Sequence, residues 1–173
     1  VETNLPWVRQ IFVFTNCAPP DWLKVEHPRI RWVQHEEAIP ADYLPTFSSH
    51  VIESCLHRIP GLAEHFIYMN DDVFIGQPLP QSFFFDPNGS SKSLFEPYGM
   101  VSGAMTEGDP DYLNAARNSA ALIRETFGAA PTQLHKHTSF ALRRDILEEM
   151  EARWPDRFHA LRRIYNQQCT FTS

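Results

Sequence analysis

Two unbroken apolar runs organise the pattern of hydrophobic and polar positions. One is Ile11-Phe12-Val13-Phe14, closed by Thr15, Asn16 and the Pro19-Pro20 pair; the other is Phe66-Ile67-Tyr68-Met69, set between His65 and Asn70. Runs this short, bounded by turn formers, read as strands buried on both faces, as in a mostly parallel sheet. A buried helical turn shares the pattern, but Pro60-Gly61 and Gly76 beside the second run favour a strand. Ile30-Arg31-Trp32-Val33-Gln34 alternates instead, which suits a strand nearer the sheet edge.

Between these runs, Val51, Ile52, Cys55, Leu56 and Ile59 make the apolar stripe of a helix from about Ser49 to Ile59, with Ser48 or Ser49 as its cap. Ser49, Glu53 and His57, each four apart, stack on another face of that helix. Pro60-Gly61 ends it and a short link returns to the Phe66 strand, so its polar face is expected to look toward the loop after that strand. Val73-Phe74-Ile75 reads as a short continuation, Ser91 to Tyr98 as a further strand, and Leu134 to Thr138 carries His135 and His137. Asp109-Pro110 predicts a helix start, Asp as cap and Pro in the first turn, with Gly128 closing the helix after Phe127. A final helix is expected from about Ala141 to Arg153, before Trp154-Pro155. The whole predicts a single α/β domain over residues 1–173, a mixed, mainly parallel sheet flanked by helices.

Hydrophobic residues at 43% and charged residues at 21% are ordinary for a globular chain of 173 residues. A net charge of -6 and a pI near 5.7 argue against a general nucleic-acid binder. They leave a phosphate-bearing substrate open, since a bound metal can supply positive charge locally. Cys17, Cys55 and Cys169 are widely spaced and odd in number, which predicts reduced thiols in a cytosolic setting. No apolar run reaches membrane-spanning length. The chain begins at Val1 and enters strand-forming sequence almost at once, so it reads as a segment of something longer.

The candidate chemistry lies where the second run ends, at Asn70-Asp71-Asp72. In open α/β sheets ligands bind at the carboxyl ends of strands. Adjacent carboxylates there repel each other unless a cation or a shared proton relieves them, and a hard divalent ion commonly brings phosphate oxygens with it. The competing reading is a solvated turn closing a hairpin. His35-Glu36-Glu37 reads as a solvated charged turn, because three consecutive side chains converge poorly. His135 and His137 have a spacing that suits metal ligation on a strand. Of Phe83-Phe84-Phe85, not all can face one core, so core and loop packing share them.

The run Leu44-Pro45-Thr46-Phe47-Ser48-Ser49-His50-Val51-Ile52-Glu53, then Leu56 to Leu62, then Phe66 to Phe74, resembles the Stealth family of hexose-1-phosphate transferases. Trp7 to Val13 and Leu94-Phe95-Glu96-Pro97-Tyr98-Gly99 look like flanks of the family's second conserved region. Ala116-Arg117-Asn118-Ser119 and the stretch from His137 to Pro155 look like the third. The first and fourth regions would lie before Val1 and beyond Ser173. His137-Thr138-Ser139 departs from a frequent His-x-Pro, and Arg162-Arg163 does not match the family's Arg-Phe-Arg.

The resemblance implies a glycosyltransferase-A-like fold and transfer of a hexose-1-phosphate, an N-acetylhexosamine-1-phosphate in the first instance, from a nucleotide sugar to a glycan hydroxyl. It implies Asp72 as general base, Glu53 as its partner or a sugar-hydroxyl acceptor, and His137 as donor to a phosphate oxygen or to the leaving group. Asp71 would ligate a divalent metal, Mg or Mn, while Asn70, Ser49, His57, Arg58 and Asn118 would bind substrate. The partners implied are a nucleotide-sugar donor and a glycan acceptor, with no nucleic acid. The setting is cytoplasmic, at the inner face of the membrane if peripherally associated. Alternatives are a metal-dependent phosphohydrolase of nucleotide sugars and a catalytically dead sugar-binding or scaffold domain.

Overall fold

A computed structural model describes residues 1–23 and 26–168, so Cys169 lies outside the described residues. Both apolar runs form strands. β1 (Ile11–Thr15) pairs in parallel with β2 (Ile30–Gln34), Val13 opposite Trp32. The link between them passes through the Pro19-Pro20 turn, and Arg31 of β2 lies over the Phe12 ring.

The segment Ala41–Tyr43 is a 3-10 turn, and α1 (Ser49–Glu53) follows. The helix expected to reach Ile59 stops at Glu53 and is followed by a separate 3-10 turn, Leu56–Arg58. The break has a visible cause. The Ser54 hydroxyl bonds back to the Val51 carbonyl (2.7 Å), while Arg162 donates to both the Ser54 hydroxyl (3.0 Å) and the Ser54 carbonyl (2.7 Å). Those bonds satisfy groups that a continued helix would have paired along its own axis. The apolar stripe survives the break, with Val51, Cys55, Leu56 and Ile59 buried. Neither serine caps: Ser48 occupies the cap position without a side-chain hydrogen bond.

β3 (His65–Tyr68) pairs antiparallel with β6 (Phe140–Arg143) in the register Phe66 to Leu142 and Ile67 to Ala141. Strand alternation then sorts the side chains into two cores. Phe66, Tyr68 and Leu142 pack on the cluster of Val33, Ala38, Leu56 and Ile59; Ile67 and Ala141 pack on or with Leu5 and Phe84. The second cluster draws in the N-terminus, where Asn4 donates to the Ile75 carbonyl and Trp7 to the Leu79 carbonyl. Phe84 alone of the three consecutive phenylalanines is deeply buried. Val73-Phe74-Ile75 adds no strand, and Phe74 is exposed.

The expected final helix divides. Its first turn is β6, and α3 begins only at Arg144, running Arg144–Arg153. Pairing with β3 holds Ala141 to Arg143 extended. Glu64, just before β3, then supplies the helix start: its backbone carbonyl accepts the Arg144 N–H (2.9 Å) and its carboxylate the Asp145 N–H (3.0 Å). Nor is α3 the last helix. α4 (Pro155–Gln168) follows, with proline at its first position, where the missing N–H costs nothing.

β4 (Phe95–Met100) and β5 (Gln133–His135) form an antiparallel ladder joined by α2 (Asp111–Phe127). Gly128 ends α2 in the left-handed conformation expected of it, φ 77°. Pro110 takes the cap position while Asp109 pairs with Arg117 at 2.5 Å. His35-Glu36-Glu37 is a 3-10 turn whose two glutamates are exposed as expected, whereas His35 is buried edge-on against Phe14.

The architecture is therefore α/β, but among the described residues the strands make three two-stranded ladders, one parallel and two antiparallel. The mainly parallel sheet is not what these strands form on their own. The runs expected as fully buried inner strands are half-buried, each paired on one side only.

Candidate functional site

The β3–β6 register builds the site. Tyr68 stands opposite Phe140, their rings stacked with centroids 6.4 Å apart. Continuing that antiparallel register beyond both strand ends sets the turn at Asp71-Asp72 against the turn that precedes β6. There His137 Nε2 lies 2.9 and 3.1 Å from the two Asp72 carboxylate oxygens. Both side chains are 63% exposed, so the pair faces solvent and any ligand. The imidazole hydrogen bond holds the Asp72 carboxyl below its ordinary value of 3.8.

Glu53, the last residue of α1, accepts a hydrogen bond from the Tyr68 hydroxyl (2.9 Å). Burial pushes the Tyr68 phenol well above its ordinary 10, and the charges of Glu53 and Asp71 add to the shift. Tyr68 therefore remains a donor, holding one Glu53 oxygen at the end of β3 from which Asn70, Asp71 and Asp72 follow. Ser49, Asn70 and Asp71 line one open cleft there. On the other flank, His135 and His137 both line a groove of about 410 Å³ with Tyr112 and Ala116 of α2, Leu134, Lys136 and Phe140.

The other sequence candidates are placed elsewhere. His57 is buried with Nε2 at 2.7 Å from Glu151 of α3, and Arg58 meets the same carboxylate at 2.8 Å. Arg162 of α4, 3% exposed, completes that group at 2.5 Å from Glu151. Burial raises the Glu151 carboxyl, but hydrogen bonds from Arg162 and Arg58 outweigh it and leave the group at about 2. Burial lowers His57 against the opposing pull of Glu151. His57 and Arg58 thus tie the Leu56–Arg58 turn to α3 and α4. Asn118 is exposed on α2 and does not line the His137 groove. His135 and His137 share the groove but not their partners: the His135 ring lies against Phe95, centroids 4.5 Å apart, and His137 turns to Asp72.

Sequence reading missed two residues. Lys136, exposed beside His137, is a cation at the groove, and nothing in its neighbours' pattern marks it. Arg162 was visible only as a mismatch to a motif; its position inside α4 is what buries it. Among the described residues no group of three or more His, Cys, Asp or Glu side chains could enclose a metal ion. The residues present therefore make no cage. Asp71 fits a metal only as one ligand of an ion whose other positions are phosphate oxygens and water. No helix among the described residues is long and apolar enough to cross a membrane.

Comparison with known proteins finds two conserved regions of one family in the chain. Stealth protein CR2, conserved region 2, matches residues 1–93, and Stealth protein CR3, conserved region 3, matches residues 136–163. Asp71 and Asp72 fall in the first match and His137 in the second, so the register of β3 with β6 joins the two regions at the pair. The capsular polysaccharide phosphotransferase SacB of Neisseria meningitidis serogroup A is 48% identical over 166 residues, 96% of this chain and 30% of SacB. Exopolysaccharide phosphotransferase SCO2592 of Streptomyces coelicolor is 44% identical over 152 residues, 87% of this chain and 16% of that protein. Exopolysaccharide phosphotransferase CpsY of Mycobacterium tuberculosis is 42% identical over 159 residues, 91% of this chain and 30% of CpsY. The chain thus spans less than a third of the length of these relatives. With conserved region 2 alone covering more than half of its residues, this chain belongs to the Stealth family.

Proposed function

We propose that this chain carries part of the active site of a sugar-1-phosphate transferase, which moves a hexose-1-phosphate from a nucleotide sugar to a glycan hydroxyl in polysaccharide synthesis. The observation that carries the reading is the Asp72–His137 pair, an exposed carboxylate and imidazole contributed by the two matched family regions. The relatives' names as capsular and exopolysaccharide phosphotransferases support it. The glycosyltransferase-A-like form of the sheet belongs to this proposal.

In the reaction the acceptor oxygen forms a bond to the phosphorus next to the sugar. The bond from that phosphorus to the bridging oxygen breaks, and nucleoside monophosphate leaves. The acceptor proton needs a base. Asp72, held below its ordinary range, is a weak one alone. Its hydrogen bonds to Nε2 fix the His137 tautomer that leaves Nδ1 as acceptor, and its charge balances the imidazolium formed there. His137 thus takes the proton, and Asp72 is the positioning residue. Lys136 supplies positive charge to the diphosphate, and Glu53, with one oxygen held by Tyr68, accepts from a sugar hydroxyl. A divalent ion on Asp71, where bound with the diphosphate, would neutralise phosphate charge.

The test is a transfer assay on the gene-encoded polypeptide with a nucleotide-sugar donor and a glycan acceptor. Asp72→Asn and His137→Gln should each lower kcat by roughly a hundred- to ten-thousand-fold with folding intact by circular dichroism. Near-normal rates in both variants would overturn the assignment. Donor breakdown at full rate without acceptor would make the protein a phosphohydrolase.

A further inference from the structure

The Asp72–His137 pair stands between two spaces with different linings. Asp71 lines the open cleft beside Ser49 and Asn70 and takes no part in the groove; His137 lines the groove and not that cleft. The groove also draws on two stretches of chain. Lys136, His137 and Phe140 fall in conserved region 3, while Tyr112 and Ala116 of α2 and Leu134 of β5 lie in residues 94–135, between the two matched regions. Its walls are held in place. Phe140 stacks on Tyr68, and the His135 ring packs on Phe95. The start of α2 is tied to the loop before it: Asn114 accepts from the Thr106 N–H and donates to the Thr106 carbonyl, both at 3.0 Å, and Arg117 donates to the Ser102 carbonyl at 3.0 Å. Tyr112, in that first turn, is nonetheless 65% exposed. A single exposed aromatic is ordinary on a protein surface. This one opens onto a concave space shared with a reacting group.

We propose that the groove is the acceptor site, and that Tyr112 selects the acceptor sugar by stacking on the C–H face of the pyranose that bears the attacking hydroxyl. The inference rests on the reading above, in which His137 takes the acceptor proton and Asp71 faces the donor diphosphate. A base must lie within hydrogen-bond reach of the proton it removes, so the acceptor belongs in the space that His137 itself lines. The donor phosphates belong with Asp71, in the other. An in-line displacement has its attacking and leaving oxygens on opposite sides of phosphorus, and spaces on the two flanks of the pair provide this. A pyranose has a largely apolar face and a rim of hydroxyls, which suits a mostly apolar groove with an aromatic wall and a few polar groups. At about 410 Å³ the groove has the size of a small-ligand site, roughly 300–1,000 Å³. A nucleobase also stacks on aromatic rings, but seating it here would set the leaving nucleotide, not the attacking hydroxyl, against His137. The chemistry thus stays with the matched regions, and the choice of acceptor sits on α2 between them.

The experiment pairs binding with kinetics on the gene-encoded polypeptide. Saturation-transfer NMR is run with a panel of methyl pyranosides of the common hexoses and N-acetylhexosamines, each standing for the acceptor's reacting residue, and with nucleoside diphosphates. At least one pyranoside should bind, its ring C–H protons saturated most. Tyr112→Ala, folded by circular dichroism, should weaken that ligand about tenfold, the scale of one aromatic contact, and Tyr112→Phe should retain it. Nucleoside diphosphates should bind all three proteins alike. In the transfer assay Tyr112→Ala should raise the acceptor KM about tenfold and leave the donor KM alone. Absence of pyranoside binding, or binding indifferent to Tyr112→Ala, overturns the proposal. So does a loss of nucleoside diphosphate affinity in Tyr112→Ala, which would make the groove the donor's. A protein that binds the pyranoside through Tyr112 but transfers nothing would sink the phosphotransferase reading alone. Normal transfer with an unchanged acceptor KM in Tyr112→Ala would sink this inference alone.

Discussion

Arg162 shows how one side chain can hold three segments. Its guanidinium, almost wholly buried, serves the Ser54 carbonyl, the Ser54 hydroxyl and Glu151, while Glu151 also takes His57 and Arg58. Removing Arg162 takes one of two guanidinium partners from the largely buried Glu151 carboxylate and leaves the buried Ser54 carbonyl without its side-chain donor, which costs more than the group's net worth. Arg162→Met should therefore lower unfolding free energy by roughly 3–5 kcal/mol. Urea denaturation followed by circular dichroism checks this, and a loss below about 1 kcal/mol would mean that solvent replaces the lost bonds. Nothing in the local sequence marked this residue, because what makes it costly to remove is the proximity of α1, the Leu56–Arg58 turn and α3, each distant in the chain.

Elements here are joined by links whose geometry matters. Pro60-Gly61 was expected to end the helix, which stops instead at Glu53; it follows the Leu56–Arg58 turn and carries a contact. Gly61 has φ +81°, and a Cβ there would sit 3.0 Å from the Arg31 guanidinium, which donates to the Pro60 carbonyl at 2.5 Å. Gly61→Ala should cost roughly 1–2 kcal/mol from the left-handed backbone alone, and it should displace Arg31 from its carbonyl. A melting comparison with Gly76→Ala, where a Cβ meets nothing within 4 Å, isolates the effect. Equal midpoints for the two variants would remove the argument. The same link explains a limit of pattern reading: the apolar stripe through Ile59 was correctly assigned to the core, but a stripe does not reveal that Ser54 breaks the helix carrying it.

The folded chain as one titrating object should be sensitive to acid in two windows. Burial lowers His35 and His57 from 6.5, so the unfolded chain binds protons that the folded chain refuses, and stability falls as pH drops below 6.5. Each also has a buried Nδ1 without a partner among the described residues. Glu151, depressed from 4.5 to about 2, contributes stability that is complete above 4.5 and lost as pH falls toward 2. Urea midpoints should decline from pH 7 to 5, and again below 4.5. Glu151→Gln should shrink the second decline, the remainder coming from Asp72 and Asp145, whose carboxyls are also held low by hydrogen bonds from His137 and Arg143. Midpoints that stay level from pH 7 to 5 would show that the two imidazoles ionise freely in the fold.

The positions of β1, β2, β3 and α2 were legible because burial imposes composition locally: an unbroken apolar run, an alternating one, and a stripe closed by Gly128 each state their own surroundings. So was the acid turn at Asp71-Asp72, since it follows directly on such a run. The partner of Asp72 was not. His137 reaches it only because residues 140–143 pair with β3, and Ala141 to Arg143 suit a helix as well as a strand until that neighbour is present. His57, read as part of a polar face, and Arg58, read as a substrate-binding residue, became members of an ion group, because Glu151 and Arg162 come from α3 and α4. Local sequence carries what a residue needs from its surroundings, whereas pairing between distant segments decides which surroundings it gets.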